Sequence, residues 1–422
     1  MHQLKKYGAI GGAIALVVCW PLAVGQIGKN VINDSIGNMS SDVLKAEVVR
    51  YERGYLSSDV QTRYTILDPE FVRQLESDDL PTEIIVNSHV SHGILSLKAV
   101  STLDNLEQLP LTLTTVTQLN GNTDYTLDLD NWHQSTQGDE GVMVSVTPSI
   151  LKGHVSVLGE VSFDLDIPSV EIDFVGGEKM LLSGMSGTGL GRKQNSFWLG
   201  EQEINMAEMS ILDAQQNTML AIKNGQYLLS SSIDETSQRL HSQHVSTVEQ
   251  IVMPQGTAND VVVDFELGDL DSVSFENILE VYQGSSKLGP EESEKVIPFV
   301  ETLIEKGFYL SLNKMAVNFG NDSEFEGQIK VTLPEGTNSV TQNPMAVLQN
   351  LTGDLGASFS GGLVEQYPFI KQGVEDAVMM KFASKTDKGY QIQAQLKEGN
   401  LVFESGQKIP LMAILFGAVM QR

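Results

Sequence analysis

Seven histidines, two groups of acids, a glycine-rich stretch and one Ser-x-x-Lys are the candidates for metal binding or catalysis in this sequence. His89 with His92, and His241 with His244, form two His-x-x-His pairs, and neutral imidazole is the commonest metal ligand. Three residues apart, two rings share a face on a helix but not on a strand. Both pairs fall in segments read as strand or loop, and no His-Glu-x-x-His occurs, so surface or packing roles are expected. The acids Asp124, Asp128, Asp130, Asp139 and Glu140, and then Asp264, Glu266, Asp269 and Asp271, lack the calcium-loop spacing with its glycine and closing glutamate. Asp128 and Asp130 alternate with Leu127 and Leu129, as on the solvated face of a sheet. Gly184–Lys193 fails the phosphate-loop spacing, the Gly-x-Gly-x-x-Gly pattern and the nucleophile elbow, where Thr188 takes the last glycine position. It is expected to be a flexible connection between strands. Ser149-Ile150-Leu151-Lys152 has no Lys-Thr-Gly to complete it. The expectation is therefore no catalytic residue, no metal and no cofactor, and no enzyme.

The elements that would position these residues read mainly as strands. Leu111–Leu119 and Tyr125–Leu129 flank Asn120-Gly121, the strongest short-range hairpin signal. Val142–Val146, Val155–Ile167, Val170–Phe174, Met219–Ile222, Tyr227–Ile233, Val261–Leu267, Phe308–Phe319, Phe325–Leu333, Tyr390–Leu396 and Leu401–Phe403 continue the period of two. Val155, Val157, Val161, Phe163, Leu165 and Ile167 suggest one apolar face. Helices are expected at Phe275–Tyr282, Glu291–Lys306, Met345–Leu351 and Leu363–Phe382, with Pro298 kinking or splitting the second. The apolar run Ile409–Met420, too short to span a bilayer, reads as a terminal helix docked on the sheet or as a lid over a groove.

The N-terminus argues for a place in the cell. Tyr7–Gly28 is a run of 22 residues without charge, preceded by Lys5 and Lys6. As a helix it would extend about 33 Å, against a hydrocarbon core of about 30 Å. The positive flank keeps the N-terminus cytoplasmic and sends the body across. A retained anchor is favoured by the length of the run. Cleavage near Ala23-Val24-Gly25, and acylation at Cys19, are the competing fates; Val18 and Trp20 disfavour the second. Cys19 is the single cysteine, so the exported part has no thiol to mis-pair. Beyond Lys29 the chain carries 24 Lys and Arg against 54 Asp and Glu, a formal charge of −30. Such a surface repels phosphate backbones and anionic headgroups, which excludes nucleic-acid partners.

Glu47-Val48-Val49-Arg50-Tyr51-Glu52-Arg53-Gly54-Tyr55-Leu56-Ser57-Ser58, directly after a single membrane segment, resembles the Tyr-x-Arg-Gly-aromatic-x-x-Ser signature of the bacterial YdgA-like family of unknown function. His92-Gly93, Phe197-Trp198-Leu199-Gly200, Gly399-Asn400-Leu401 and Ile409-Pro410-Leu411 strengthen the likeness over nearly the full length. Tyr55 where tryptophan is usual, Ile94 where proline is common and Ser405 where asparagine is typical are departures. The resemblance implies a Gram-negative, inner-membrane-anchored periplasmic protein, and it supplies no catalytic residues. Tyr51, Arg53, Gly54, Tyr55 and Trp198 are the site-like positions it marks. On physical grounds Gly54 permits a bulge or tight bend, and Arg53 is available to a carboxylate.

The expected fold class is α+β: a signal anchor over 1–28, a juxtamembrane helical segment over 29–45, and a large, mostly antiparallel, curved sheet body with several helices over 46–422. A two-lobe boundary is expected near 284–290. Two functions are expected from different classes. The first is a non-enzymatic envelope protein acting through protein contacts, with a second copy or another envelope protein as partner. The alternative is a periplasmic lipid or apolar-ligand carrier using a groove in the curved sheet, which requires a continuous apolar face.

Overall fold

The computed structural model describes residues 44–414, apart from breaks at 55–56, 78–80, 94–95, 107, 119, 136–140, 195–196, 284–288 and 338–343. The anchor 7–28 lies outside the described residues. So does the helical segment 29–45, except for Leu44 and Lys45, which open the first strand. Among the described residues no helix is long and apolar enough to cross a membrane. Every described strand pairing is antiparallel, and the chain divides into two compact units, Met1–Lys193 and Gln194–Arg422. The segment 284–290 falls inside the second unit.

In the first unit β1 (Leu44–Arg53), β2 (Ser57–Ile66), β3 (Glu83–His92), β4 (Ser96–Leu103), β5 (Leu111–Gln118) and β6 (Thr123–Leu129) form a meander. The hairpin at Asn120-Gly121 forms as expected: Gly121 has φ +88°, and its N–H donates to the Gln118 carbonyl at 2.9 Å. Strict alternation decides what faces inward. Along β2, Ser58, Val60, Thr62, Tyr64 and Ile66 are buried, and the residues between them are not. Tyr64 and Ile66 join Ile84, Val86, Leu111, Leu113 and Leu127 in one core cluster. Helix α1 (Pro69–Ser77), in the β2–β3 connection, covers that cluster with Phe71, Val72 and Leu75. Its start is written locally: the Asp68 carboxylate accepts from the N–H groups of Glu70 and Phe71, both at 2.9 Å, with Pro69 at the first helical position.

The remaining strands of this unit are β7 (Trp132–Ser135), β8 (Val142–Val146), β9 (Ser149–Val155), β10 (Glu160–Phe174) and β11 (Lys179–Gln194). On one side β10 pairs first with β9, through Val161–Asp166, and then with β8, through Val170–Phe174. Pro168, which has no N–H for a ladder, stands where the partner changes. The apolar residues change faces there too. Val161 packs on the first core, whereas Val170, Ile172 and Phe174 pack with Trp132, Val142, Val144 and Val146. The glycine-rich stretch corrects an expectation: it is not a flexible connection but β11, paired with β10 from Asp173 to Glu160. Its glycines clear space for a ring, since a Cβ on Gly189 would lie 2.3 Å from the Phe163 ring.

The second unit opens with four long strands, β12 (Phe197–Leu212), β13 (Thr218–Ile233), β14 (Arg239–Met253) and β15 (Gly256–Asp271). It continues through β16 (Phe308–Asn318), β17 (Glu324–Leu333), β18 (Thr352–Ser360), β19 (Ser384–Thr386), β20 (Gly389–Lys397), β21 (Asn400–Phe403) and β22 (Lys408–Pro410). Each pairs with the next in sequence, except that β20 lies between β18 on one side and β19 and β21 on the other. Pairing skips Asn224, Glu249 and Asp260, and Asn224 and Asp260 take left-handed backbone, φ +49° and +52°. Such irregularities increase the local twist of long strands.

Among the described residues, five helices stand in the connections of this sheet. They are α2 (Ser272–Gln283) and α3 (Pro290–Lys306) after β15, α4 (Pro344–Asn350) after β17, and α5 (Gly361–Gln366) and α6 (Pro368–Met379) after β18. Two expectations are corrected here. Pro298 does not split α3, which runs unbroken to Lys306 and packs Leu303 beside Leu267, Leu270 and Phe308. That burial outweighs one missing helical hydrogen bond. The helix expected over Leu363–Phe382 is instead two, divided at Tyr367-Pro368, with Ser360 capping the first and Pro368 opening the second. After β22, Leu411–Ile414 is helical, and the rest of the expected terminal helix lies outside the described residues.

Candidate functional site

Register carries the main feature of the second unit. Gln202, Leu229, His244, Phe265, Leu312, Ile329, Leu355, Ala394 and Phe403 stand in one row across nine strands. The next row on the same face is Ile204, Tyr227, Ser246, Val263, Met315, Gly327, Ala357 and Ile392. One residue along each strand, the opposite face reads Glu201, Ser230, Gln243, Glu266, Ser311, Lys330, Asp354 and Gln395. The layer is therefore two-sided, one face apolar and the other hydrophilic.

The apolar face is not closed by a second layer at its centre. No residue from His241 to Val252 or from Asn259 to Leu267 is buried, except that Ala258 beside them is. Leu310, Met315 and Ile329 remain 39%, 43% and 37% exposed. One end is sealed where Phe275 of α2 and Leu303 of α3 pack on Leu240, Leu267 and Leu270, and at the other end Ala394 and Phe403 are buried, with the Phe382 ring 4.6 Å from that of Phe403. At about 4.8 Å per strand, the open stripe over β12–β18 runs about 29 Å across the sheet. Exposed apolar surface of that extent is characteristic of binding surfaces in general.

One polar node interrupts the stripe. The Tyr227 hydroxyl lies 2.7 Å from Nδ1 of His244, and the Ser242 hydroxyl lies 3.1 Å from its Nε2. The ring of Phe265 flanks the imidazole at 6.3 Å between centroids. Desolvation among these neighbours lowers the His244 pKa, which keeps the ring neutral at pH 7. Serine, imidazole and a third group in a line suggest a nucleophile with an oriented base. Acyl transfer would also need amide donors aimed at the developing oxyanion, and the amides of β14 are committed to ladders on both sides. The node sets a phenol, an imidazole and a serine hydroxyl side by side on the apolar face.

The hydrophilic face holds a separate network. Tyr309 donates to Glu266, and Asn313 Nδ2 donates to Asp264 at 3.2 Å and to Glu266 at 3.1 Å. Lys330 Nζ lies 4.1 Å above the Tyr309 ring. Desolvation, together with the Glu266 carboxylate, pushes the Tyr309 phenol up to about 12. Glu266→Gln should therefore bring the Tyr309 titration back towards the ordinary value of about 10. Ultraviolet difference titration of the wild type and variant would show it, and an unmoved late-titrating tyrosine would contradict the assignment.

The histidine pairs do not converge. His241 and His244 point to opposite faces of β14, with His241 set 3.4 Å from Asp269. His89 projects from β3 to Asp59 at 2.7 Å, His133 meets Ser145 and His154 meets Asp124. Among the described residues no three potential ligands gather for a metal. Asp139 and Glu140 lie outside the described residues.

The positions marked by resemblance are placed as follows. Tyr51 follows a bulge in β1, packs against Val60, Val90 and Ala99, and donates to Ser58 at 3.4 Å. Arg53 is exposed at the end of β1, where the ion pair joins Arg50 to Glu52. Gly54 N–H donates to the Ser57 carbonyl at 2.7 Å, and Gly93 does the same to Ser96 at 2.9 Å. The sequences Gly54-Tyr55-Leu56-Ser57 and Gly93-Ile94-Leu95-Ser96 thus link β1 to β2 and β3 to β4 alike. A Cβ would come within 2.9 Å and 2.6 Å of those carbonyl oxygens, so both positions require glycine. Tyr55 lies outside the described residues. Trp198 is half-buried on β12, and its carbonyl accepts from the Ser231 hydroxyl. The open stripe was not among the marked positions. Its signal was present as eight successive strands with one alternation, but alternation does not say whether a second layer covers the apolar side.

These features define a class: an antiparallel β protein whose second unit is a long amphipathic sheet with helices in its connections. The chain belongs to DUF945, a family of bacterial proteins of unknown function, whose sequence profile matches residues 4–412. No curated protein and no solved structure matches it.

Proposed function

We propose that the protein is a periplasmic lipid-binding protein that receives hydrocarbon chains on the open apolar face of β12–β18. In this reading residues 7–28 tether it to the inner membrane, as the resemblance to YdgA-like proteins implies, and it does no chemistry on its cargo. The open stripe is the observation that supports this over a surface for protein contacts. A hydrocarbon chain of one leaflet spans about 15 Å, so a stripe of about 29 Å accommodates it along the row. Covering the open part of Leu310, Met315 or Ile329 gains about 1 kcal/mol each, and several such positions together offset the cost of immobilising a chain. The strongly acidic surface repels anionic headgroups, so the attraction is apolar rather than electrostatic.

Photo-crosslinking in living cells tests this on the full chain. A benzophenone amino acid at Leu312 or Met315 should yield adducts carrying radiolabelled acyl groups, and one at Gln243 or Lys330 should not. Protein adducts at Leu312 and Met315, without lipid, would transfer the stripe to a protein partner and overturn the proposal.

A further inference from the structure

Row by row, the apolar face is not uniform. Over β15–β18 it is hydrocarbon: Phe265, Val263, Leu312, Met315, Ile329 and Leu355. Over β13 and β14 the same rows hold Tyr227, His244 and Ser246, with Ser242 one step along. A ligand lying along the row meets hydrocarbon at one end and hydroxyls at the other.

The node has a definite hydrogen-bond capacity. Neutral imidazole has one N–H and one lone pair. If Tyr227 donates to Nδ1, then Nε2–H donates to Ser242 and the Ser242 O–H is unspent. If Nδ1–H donates to Tyr227, then Ser242 donates to Nε2 and the Tyr227 O–H is unspent. In either tautomer one hydroxyl hydrogen remains without an acceptor among the described residues. The node therefore presents a neutral donor, which suits a carbonyl or hydroxyl oxygen. The nearest charged side chains on this face of β12 and β13, Glu208 and Lys223, stand opposite each other in register, further along the strands.

Resting on the lipid-binding reading, we infer that the Tyr227–His244–Ser242 node holds the ester oxygen of an uncharged acylglycerol-type head while its acyl chain lies across β15–β18. The ligand thus runs perpendicular to the strands, with its polar end over β13 and β14.

The test uses isolated membranes containing the full chain and two photoactivatable probes. One is a monoacylglycerol with a diazirine at the chain end, and the other is a diazirine alkane without a head. With the wild type, both should label the apolar face, the ester probe at peptides of β16–β18. Tyr227→Phe, which removes only a hydroxyl, and His244→Phe should each lower ester-probe labelling about five-fold, as loss of one neutral hydrogen bond does. Alkane labelling should hold in both variants, and its persistence also reports that the sheet is intact. Undiminished ester-probe labelling in both variants, or equal labelling by an anionic fatty-acid probe, would overturn the inference and leave the lipid-binding reading standing. Failure of both probes to label the wild type would overturn that reading itself.

Discussion

Gly153→Ala should weaken the first unit by about 3 kcal/mol and let β9 part from β10, because overpacking against backbone has no cheap relief. A Cβ at Gly153 would lie 1.9 Å from the Ser162 carbonyl oxygen and 2.8 Å from the Tyr125 hydroxyl. That hydroxyl donates to the same carbonyl at 3.1 Å, so the new methyl group would displace a hydrogen bond as well as a strand. Tyr125, Gly153, Phe163 and Gly189 stand in one row over β6, β9, β10 and β11, with ring and glycine alternating. Each ring fills the space that its neighbouring glycine leaves. Against a total stability of about 5–15 kcal/mol, such a loss is large. Hydrogen exchange should rise in peptides of β9 and β10 and stay unchanged in β13–β15. Gly373→Ala provides the control, because a Cβ there meets open space within α6. If the two variants behaved alike, the close approach at Gly153 would be refuted.

Asp271→Ala carries the second large effect, about 2–3 kcal/mol, located where α2 and α3 meet the sheet. Asp271 is only 2% exposed, and its carboxylate accepts from the Ser274 N–H at 2.9 Å and the Ser274 hydroxyl at 2.7 Å. It also pairs with Lys306, in the last turn of α3. Arg239 completes the clamp by donating to the carbonyls of Asp269, Lys306 and Gly307 at 2.8, 2.6 and 3.0 Å. Lys306 keeps nearly half of its surface in water, so the loss is smaller than for a fully buried pair. Asp271→Asn retains an acceptor for Ser274 and should cost less than alanine.

The pH dependence follows with a definite sign. Desolvation raises the Asp271 pKa, but the hydrogen bonds from Lys306 and Ser274 and the Lys306 charge outweigh it, so the folded value lies below the ordinary one. The contribution to stability is therefore complete above the ordinary carboxylate range, near pH 4. It is lost as pH falls through the lowered folded value. The Tm gap between wild type and Asp271→Asn should be widest at neutral pH and close in acid. A gap that grew on acidification would contradict the assignment.

Local patterns account for much of this architecture. Period-two runs, the Asn120-Gly121 turn and the start at Pro290 follow from backbone geometry and nearest-neighbour chemistry, which act within a few residues. Asp68-Pro69, followed by Phe71, Val72 and Leu75, spells α1 equally well, although a reading attentive to alternation passes over it. The glycine-rich β11 shows the opposite limit. Glycine alone reads as flexible, and it is pairing with β10, with the Phe163 ring filling the space over Gly189, that makes that stretch a strand. Pro298 likewise looks able to split the helix in isolation, yet α3 runs through it to Lys306, packed on the sheet.

The sequence by itself determined the β-rich class, the acidity, and the alternation of apolar and polar residues in each strand. It also contained Tyr227, Ser242 and His244 without any sign that they meet. Tertiary structure alone decided register, which sets residues from nine strands in one row and brings those three side chains within hydrogen-bond distance. It also decided that the centre of the apolar face stays open. The physical reason is the range of the forces: alternation is a property of one strand, whereas register and coverage depend on pairings and layers contributed by distant parts of the chain.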